Sequence, residues 1–596
     1  TKFTPAPPTM KSTPVSSVLE ALELRLAPAG IVSLSTTGGV LTITGDSSGL
    51  DNAVRILEIS PGLWRISDPL ASGTTFSLNG AAAAATVDIT AATGIKTQLG
   101  AGNDTLQMLG LNVAGHLTIA DKSGNDDINI NGCTINGSVK IDSGSGDDQI
   151  RLIGSLTNNP LSIKAGTGND LVSFDKDTFR DVNVDLGTGT NIFDSDTTSL
   201  TIFGNLNVTT TGGADEDNSF TLAATSCLIT GSVKFTVKAG DSTIKIGNVS
   251  GDTLFIGGNL TLQTGSGEDL FTLNEAITIG GLLTIKAGNG DNTLLGQTAA
   301  PHILGGFSYT GGTGIDTLDF TEQSLQIGTN VSLNMGNGSF NRVFLTPTDL
   351  LQVDGNITYK GGTGADALRL DSTDANVLGQ INFNGANGSN TFHFLPDNGV
   401  LGSLTYKGGT STDIVRIGDF FGGTTALISV LGKVNINVSK DYSEVSLTDS
   451  VLYSSVNVTA ATHINEFFDI LDTRILGTVN YKSTGVGTTV VNFTNSTFFS
   501  AVTLNTGKGN DFIDFDIAGG TSIRNTFQAP VKILMGDGDD VFTSGANPTL
   551  ANAGSIFNAL LTVDGGKGTD TANLLVGYNN TFGVTPDIKT TVETQN

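Results

Sequence analysis

The motif Gly-x-Gly-x-Asp returns along this 596-residue chain at a nearly constant interval. Asp104, Asp126, Asp148 and Asp170 follow one another every 22 residues. A fixed period of that length predicts a solenoid, because each repeat buries its apolar face only by stacking on its neighbours. The motif aspartates further along the chain are Asp269, Asp316, Asp366, Asp511, Asp540 and Asp570. The pattern crosses most of the sequence without a linker-like break, so we expect one elongated domain.

Each repeat begins with a short strand in which apolar and polar residues alternate, as in Leu161-Ser162-Ile163-Lys164. Alternation of period two places the apolar residues inside and the polar residues outside. A second alternating strand follows the glycine turn, and often a third apolar segment. Three strands per repeat predict an all-β, single-domain, right-handed parallel β-helix of about 20 rungs, which at ~4.8 Å per rung is a rod roughly 100 Å long. An interior aromatic stack is expected from Tyr309, Tyr359, Phe383, Tyr406 and Tyr481.

The start of the chain departs from the repeat. Ser17-Val18-Leu19-Glu20 is a capping-box pattern that leads into spaced leucines and ends at Pro28, which predicts a short amphipathic helix. The side chains expected to cap the first coil, or to contact a neighbouring molecule, are Ser17, Leu19, Leu22 and Leu26. The predicted divisions are a flexible arm over 1–16, the capping helix over 17–30, irregular first β coils over 31–93, regular β-helix repeats over 94–580 and a C-terminal cap or tail over 581–596.

Composition limits the partners of the chain. A formal charge of −27 and a pI near 4.3 argue against nucleic acid and anionic lipid as partners and favour cations or simple solubility. No run of about 18 apolar residues occurs, so the sequence predicts no membrane-spanning helix.

The glycine turns resemble the nonapeptide turns of haemolysin-type (RTX) calcium-binding proteins. The stretch from Leu19 to Ala29, Leu-Glu-Ala-Leu-Glu-Leu-Arg-Leu-Ala-Pro-Ala, is similar to the start of large exported planctomycete proteins. Together the two resemblances imply a repeat protein that is secreted by a bacterium or attached to its surface. The RTX resemblance further implies Ca²⁺ bound between stacked turns by backbone carbonyls and by the ten motif aspartates. The chain departs from the RTX pattern in its longer spacing and in Asn191, Asn292 and Asn390, which replace Asp.

Two interpretations of the turns stay open at this point. Carboxylates stacked ~4.8 Å apart repel one another by roughly 1 kcal/mol in water and about 3 to 4 kcal/mol at an intermediate dielectric, so a bridging Ca²⁺ would relieve real strain. Alternatively, Asp and Asn side chains both accept hydrogen bonds from turn amides, and glycine supplies the positive φ, so a ladder of Asx turns would need no metal.

A search for chemistry finds no nucleophile elbow, no zinc-type histidine spacing and no phosphate loop between a strand and a helix. One group of residues merits a test. Arg369, His393 and Arg416 are expected to face outward on three successive rungs, where a cationic ladder could grip a uronic acid or a sulfate. The alternative is a solvated face with local ion pairs.

The favoured function is therefore structural and not enzymatic. We expect an extracellular or cell-surface rod of a bacterium that stacks head to tail through its terminal coils into a surface layer, a fibre or an adhesive appendage. The alternative is a polysaccharide-binding or polysaccharide-degrading β-helix, a lyase or hydrolase, whose partner is a surface polysaccharide.

Overall fold

A computed structural model gives the fold of the chain. It describes residues 30–46, 48–195, 198–247, 253–274, 276–297, 301–321, 323–418, 427–438, 441–461, 465–515, 524–545, 554–574, 580–589 and 592–595. Over these residues the protein is an all-β parallel solenoid of about 19 turns, which confirms the predicted fold class. No helix occurs in this part of the chain. The predicted arm, and Ser17, Leu19, Leu22 and Leu26 of the predicted capping helix, lie outside the described residues.

Three columns of stacked parallel strands build the solenoid. The first column contains Gly94–Gln98, Leu117–Ala120, Val139–Asp142, Leu161–Lys164, Val182–Asp185, Leu206–Thr210, Val233–Val237, Leu260–Gln263, Leu283–Gly288, Phe307–Gly311, Val331–Asn334, Ile357–Lys360, Val434–Val438, Val456–Ala460, Val479–Ser483, Val502–Asn505, Val531–Leu534, Leu561–Asp564 and Asp587–Ile588.

The second column follows the glycine turns. It contains Ala53–Ser60, Thr105–Leu109, Asp127–Asn131, Gln149–Ile153, Leu171–Asp175, Ile192–Asp194, Asn218–Leu222, Ser242–Ile246, Leu270–Asn274, Asn292–Gln297, Asp316–Phe320, Phe340–Leu345, Ala365–Leu370, Asn390–Phe394, Asp413–Ile417, Ser443–Thr448, Asn465–Leu471, Thr488–Thr494, Phe512–Phe515, Val541–Ser544, Asp570–Leu574 and Val592–Gln595.

The third column consists mostly of shorter strands. It contains Asn112–Val113, Thr134–Ile135, Leu156–Thr157, Asp177–Phe179, Ser199–Ile202, Ser226–Ile229, Thr253–Ile256, Ile277–Ile279, His302–Ile303, Ser324–Ile327, Leu350–Val353, Leu427–Val430, Ser450–Leu452, Arg474–Ile475, Thr497–Phe498, Thr526–Phe527, Ile556–Phe557 and Thr581–Phe582. Two long strands, Asp374–Asn384 and Asn398–Lys407, belong to both the third and the first column and join them.

Strand register explains why the core is continuous. Leu117 pairs with Val139 and Val139 pairs with Leu161, so like side chains stack along the axis, and all three are buried. The predicted aromatic stack is present in the interior for Tyr359, Phe383 and Tyr406, whereas Tyr309 and Tyr481 are buried between aliphatic residues of their own column. The ring centroid of Phe383 lies 4.6 Å from that of Tyr359 and 5.0 Å from that of Tyr406. Such contacts add to the stability that burial of the rings already provides.

The irregular region near the N-terminus adds antiparallel strands to this end of the solenoid. Ile31–Thr37 pairs antiparallel with Val40–Thr44 and parallel with Thr75–Leu78. Ala53–Ser60 pairs antiparallel with Leu63–Ser67, which in turn pairs antiparallel with Thr86–Thr90. After two reversals, Thr86–Thr90 therefore runs in the same direction as the second column. These strands follow no repeat, which is why the periodicity of the sequence does not extend to them.

The turns approach one another so closely that glycine is required. Gly168 has φ of +131°, and a Cβ atom built on it would lie 2.0 Å from the carbonyl oxygen of Gly146 one rung earlier. A distance of that size is a clash with backbone, which cannot move aside without breaking the stacking of the turns. Gly154 also has a positive φ, +58°, but a Cβ atom there would meet nothing within 4 Å.

We expect Gly168→Ala to lower the free energy of unfolding by at least about 2 kcal/mol, because it combines backbone strain with a clash. Gly154→Ala is the matched control and should lower it by only about 1 kcal/mol, since it meets the positive φ alone. Urea denaturation followed by circular dichroism measures both. Equal losses for the two variants would contradict the close approach of the turns.

Candidate functional site

The motif aspartates lie where each glycine turn enters the second strand column, and they face the interior. Each of them is at most 2% exposed. The buried set is Asp104, Asp126, Asp148, Asp170, Asp269, Asp316, Asp366, Asp511, Asp540 and Asp570.

Their side chains form a ladder of hydrogen bonds between rungs. The backbone N–H of Asp104 donates to Oδ1 of Asp126 at 2.7 Å, and that of Asp126 donates to Oδ1 of Asp148 at 2.9 Å. The N–H of Asp148 donates in the same way to Asp170 at 2.9 Å. Each side chain thus satisfies a buried amide of the preceding rung, which would otherwise destabilise the fold by about 1 to 3 kcal/mol. This arrangement matches the Asx interpretation of the motif, in which the side chain serves the backbone.

Asparagine continues the ladder without a charge. The N–H of Asp170 donates to Oδ1 of Asn191 at 2.9 Å. In the middle of the rod, charged and neutral residues alternate at this position, and each asparagine amide donates to the carboxylate of the next rung. The three such bonds run from Asn292 to Asp316 at 2.9 Å, from Asn341 to Asp366 at 3.2 Å and from Asn390 to Asp413 at 3.3 Å.

A second ladder, which the sequence analysis did not identify, runs along the outer side of the same turns. Asn103 Oδ1 accepts the backbone N–H of Asn125 at 2.7 Å, and Asn125 Oδ1 accepts that of Asp147 at 2.9 Å. Asp147 Oδ1 accepts the N–H of Asn169 at 2.7 Å. In this outer ladder each side chain accepts a hydrogen bond from a backbone amide of the following rung, whereas in the inner ladder the amide belongs to the preceding rung. The signal in the sequence is the Asn or Asp that stands directly before the motif aspartate.

Burial disfavours the charged form of the inner aspartates. It raises the pKa of Asp104 to about 7, that of Asp126 to about 8, and those of Asp170 and Asp540 to about 7. The second carboxylate oxygen, Oδ2, of Asp104, Asp126 and Asp170 is buried and has no hydrogen-bond partner. In the middle of the rod an interior tyrosine acts in the opposite direction. Tyr359 donates its hydroxyl to Asp366 at 3.1 Å, which stabilises the carboxylate and lowers its pKa, although burial still raises that pKa to about 6.

One place along the ladder brings three carboxylates together. Asp104, Asp121 and Asp126 offer oxygens within 4.8 Å of one another, an arrangement that could hold a metal ion. Asp121 was not among the predicted site residues, because it stands before the motif. Calcium along the whole set of ten motif aspartates stays a prediction from the RTX resemblance.

The structure aligns the predicted cationic residues as expected. Arg369 pairs in register with His393, which pairs with Arg416, on three successive strands of the second column. Both arginines have acidic partners, Asp371 at 2.6 Å and Glu444 at 2.7 Å. Burial, with the two flanking arginines, lowers the pKa of His393 to about 4. The imidazole is therefore neutral at pH 7, so the ladder carries two positive charges, each beside a carboxylate.

A cleft adjoins this group on the outer face of the solenoid. Its volume is about 520 Å³, and an aromatic ring, a guanidinium and two carboxylates meet in it. The residues concerned are Phe344, Arg369, Asp371 and Asp397, with hydroxyl groups from Thr346, Thr348, Ser372 and Thr373 around them.

No protein-family model, curated protein or solved structure matches the chain. The RTX and planctomycete resemblances therefore stay predictions based on short motifs. Within the described residues, no helix is long and apolar enough to cross a membrane.

A substitution at Asp540 separates the role of the acceptor from that of the charge. Asp540 Oδ1 accepts the N–H of Asp511 at 2.8 Å. Asp540→Asn keeps an acceptor and removes the charge, so it should match or exceed the wild type in stability at pH 7.5. Asp540→Ala removes the acceptor as well and should lower the free energy of unfolding by about 1 to 3 kcal/mol relative to Asp540→Asn.

The benefit of Asp540→Asn should depend on pH. The pKa of Asp540 is about 7 in the folded protein and about 3.9 in an unfolded chain, so the folded state binds more protons between these values. The stability of the wild type therefore falls as pH rises from about 4 to 7, and the variant lacks this part of the fall. Urea denaturation at pH 4.5 and 7.5 measures the difference. A constant difference between wild type and variant across that range would contradict the buried, proton-binding carboxyl.

Proposed function

We propose that the protein is a structural β-solenoid that assembles head to tail into a surface layer, fibre or adhesive appendage outside a bacterial cell. The observation that supports this proposal is an unpaired strand edge at each end of the rod. Thr86–Thr90 at one end and Val592–Gln595 at the other each pair on one side only among the residues that the structure describes. Unpaired strand edges are templates for another chain.

The direction of the terminal strands supports stacking. Thr86–Thr90 runs parallel to the second column because of the two antiparallel reversals that precede it. Val592–Gln595 runs parallel to the strand beneath it, Asp570–Leu574. If one molecule follows another along the axis, these two edges meet as parallel strands, which is the pairing that already holds the interior together.

The N-terminal end also exposes apolar surface beside its edge. Ile31 is 54% exposed and Leu70 is 55% exposed. The five alanines of 81–85 are exposed as well, and Ala84 bridges to Phe76 of the edge strand Thr75–Leu78. Apolar surface gathered at the end of a rod is the kind of surface that association buries.

The location outside the cell rests on the resemblance to exported proteins, and the absence of catalysis is part of the proposal. The acidic composition, with a net charge of −27, keeps rods apart sideways at low ionic strength.

Negative-stain electron microscopy at micromolar concentration tests the stacking. We expect filaments in which units of about 90 Å, the length of 19 turns at ~4.8 Å, follow one another coaxially. Ala83→Lys together with Ala85→Lys places charges at the exposed end and should leave single rods. Thr118→Lys is the matched control on the flank of the rod, where Lys140 already stands one rung later, and should leave filaments intact.

Single rods of the wild type under all conditions would overturn the proposal. Filaments that disperse in EGTA would show that assembly needs calcium, whereas filaments indifferent to EGTA would separate assembly from metal binding. Full-length filaments after deletion of residues 1–30 would exclude that segment as a clasp between molecules.

A second candidate function is recognition or cleavage of an acidic polysaccharide. The cleft beside Arg369 favours it, because sugar rings pack on aromatic side chains such as Phe344 while a guanidinium pairs with a uronate. In affinity electrophoresis on polyuronate gels, we expect Arg369→Ala to lose at least tenfold in affinity. Arg342→Ala is the matched control, since Arg342 is exposed nearby but stacks on Phe340 outside the cleft. Equal migration of both variants and the wild type would remove this candidate.

A further inference from the structure

The three carboxylates near the start of the regular repeats come from two different parts of the rung. Asp104 and Asp126 belong to the inner ladder on neighbouring rungs. Asp121 follows the first-column strand Leu117–Ala120 and reaches the same place from the other side of the turn. Their oxygens lie within 4.8 Å of one another, and among the described residues no other group of at least three carboxylates, thiols or imidazoles is this close.

Two of the three carboxylates have an oxygen without a partner. Asp104 and Asp126 are each 2% exposed, and Oδ1 of each is occupied by a backbone amide of the preceding rung. Oδ2 of each is buried and accepts no hydrogen bond. A buried carboxylate oxygen is normally satisfied, because leaving it without water or a donor is unfavourable. Two such atoms beside a third carboxylate are a ligand set for a cation.

Asp121 is unusual for its position in the rung. The residues that stack at the same point on neighbouring rungs are Leu99, Ser143, Ala165 and Leu186, all of which are buried and uncharged. Asp121 Oδ1 accepts the N–H groups of Gly100 at 2.7 Å and of Lys122 at 3.0 Å, which fixes the orientation of the carboxylate. Because Asp121 is only partly buried, it also connects the cluster with solvent.

We propose that Asp104, Asp121 and Asp126 bind one divalent cation, with Ca²⁺ as the ion that fits best. Carboxylate oxygens are ligands for hard cations, and the oxygens of these three residues lie within 4.8 Å of one another. Ca²⁺ accepts about six to eight oxygen ligands in a flexible geometry, whereas Mg²⁺ demands a near-ideal octahedron and loses its water reluctantly, so a ligand set held in place by the turns suits calcium better. The site depends on Asp121, which lies outside the repeated motif, so it is a single site and not one of a series along the turns.

Electrostatics agrees with this assignment. Burial is the main cause that raises the pKa values of all three carboxyls, and the charge of Asp121 raises those of Asp104 and Asp126 further. A divalent cation would reverse the repulsion among the three groups. The site is independent of head-to-tail stacking, since all three residues belong to one chain.

Isothermal titration of the full-length protein with CaCl₂, after removal of metal with EDTA, tests the proposal. Potassium chloride at 150 mM suppresses diffuse binding to the acidic surface. We expect one calcium per chain in the wild type and at least a tenfold weaker affinity in Asp121→Ala. Asp142→Ala is the matched control: it removes a carboxylate that faces outward on the next rung, and it should bind like the wild type.

Thermal unfolding shows whether a loss of binding is a loss of the site or of the fold. Alanine already occupies the position of Asp121 at Ala165, two rungs further on, so the variant should fold. Without metal, Asp121→Ala should melt within a few degrees of the wild type, because the loss of the acceptor for the Gly100 N–H is offset by the relief of repulsion among the carboxyls. Calcium should raise the melting temperature of the wild type and of Asp142→Ala only.

Two results would overturn the site. One is the absence of stoichiometric binding to the wild type at millimolar calcium, and the other is unchanged binding by Asp121→Ala. Titration at a protein concentration below that at which filaments form keeps the outcome separate from that of the assembly proposal.

Discussion

The structure depends on the hydrogen bond between a turn amide of one rung and a side-chain oxygen of the next. Strands in a parallel solenoid satisfy one another through their backbones, but turns present amides that no strand reaches. The inner ladder, seen in the bond from Asp104 to Asp126, satisfies these amides from inside. It works only because the turns are close together, and glycines such as Gly168 allow that approach. The glycines and the aspartate of the motif therefore act together: the glycines bring the turns close, and the aspartate accepts the hydrogen bond of the turn amide.

This hydrogen bond explains why both Asp and Asn occur at the same position of the repeat. An asparagine supplies the same acceptor but also an amide that needs an acceptor of its own, whereas an aspartate supplies a charge that burial disfavours. In the middle of the rod the two types alternate, and Asn292 donates to Asp316 as Asn390 donates to Asp413. The aspartate carboxylate accepts the hydrogen bond of the asparagine amide, and the amide in turn stabilises the charge of the carboxylate. An unbroken run of aspartates has no such compensation, and burial there raises the pKa of Asp104 and Asp170 to about 7 and that of Asp126 to about 8.

The sequence predicts the solenoid well because its repeats are set by local rules. Alternation placed Leu117, Val139 and Leu161 inside, and the structure confirms it. The sense of each ladder could not be predicted, since it depends on which neighbouring rung the side chain reaches. Asp121 was missed because no motif marks it, and only alignment with buried residues such as Ala165 reveals it. The neutral state of His393 was also not predictable, because it results from burial between two arginines.

The aspartate runs lie near the two ends of the rod. Asp104 to Asp170 are among the first regular rungs, and Asp511 to Asp570 are among the last, whereas the alternating segment from Asp269 to Asp413 is central. In a solenoid each rung contacts only its neighbours, so stability is local and opening begins at the ends. A change of pH would then act first on the terminal rungs, although burial also raises the pKa values of Asp269, Asp316 and Asp366 in the centre to about 6. If molecules join through these ends, the rungs that open first are also the rungs that form the contact. Assembly would then depend on pH and cation concentration under conditions in which the rest of the rod stays folded.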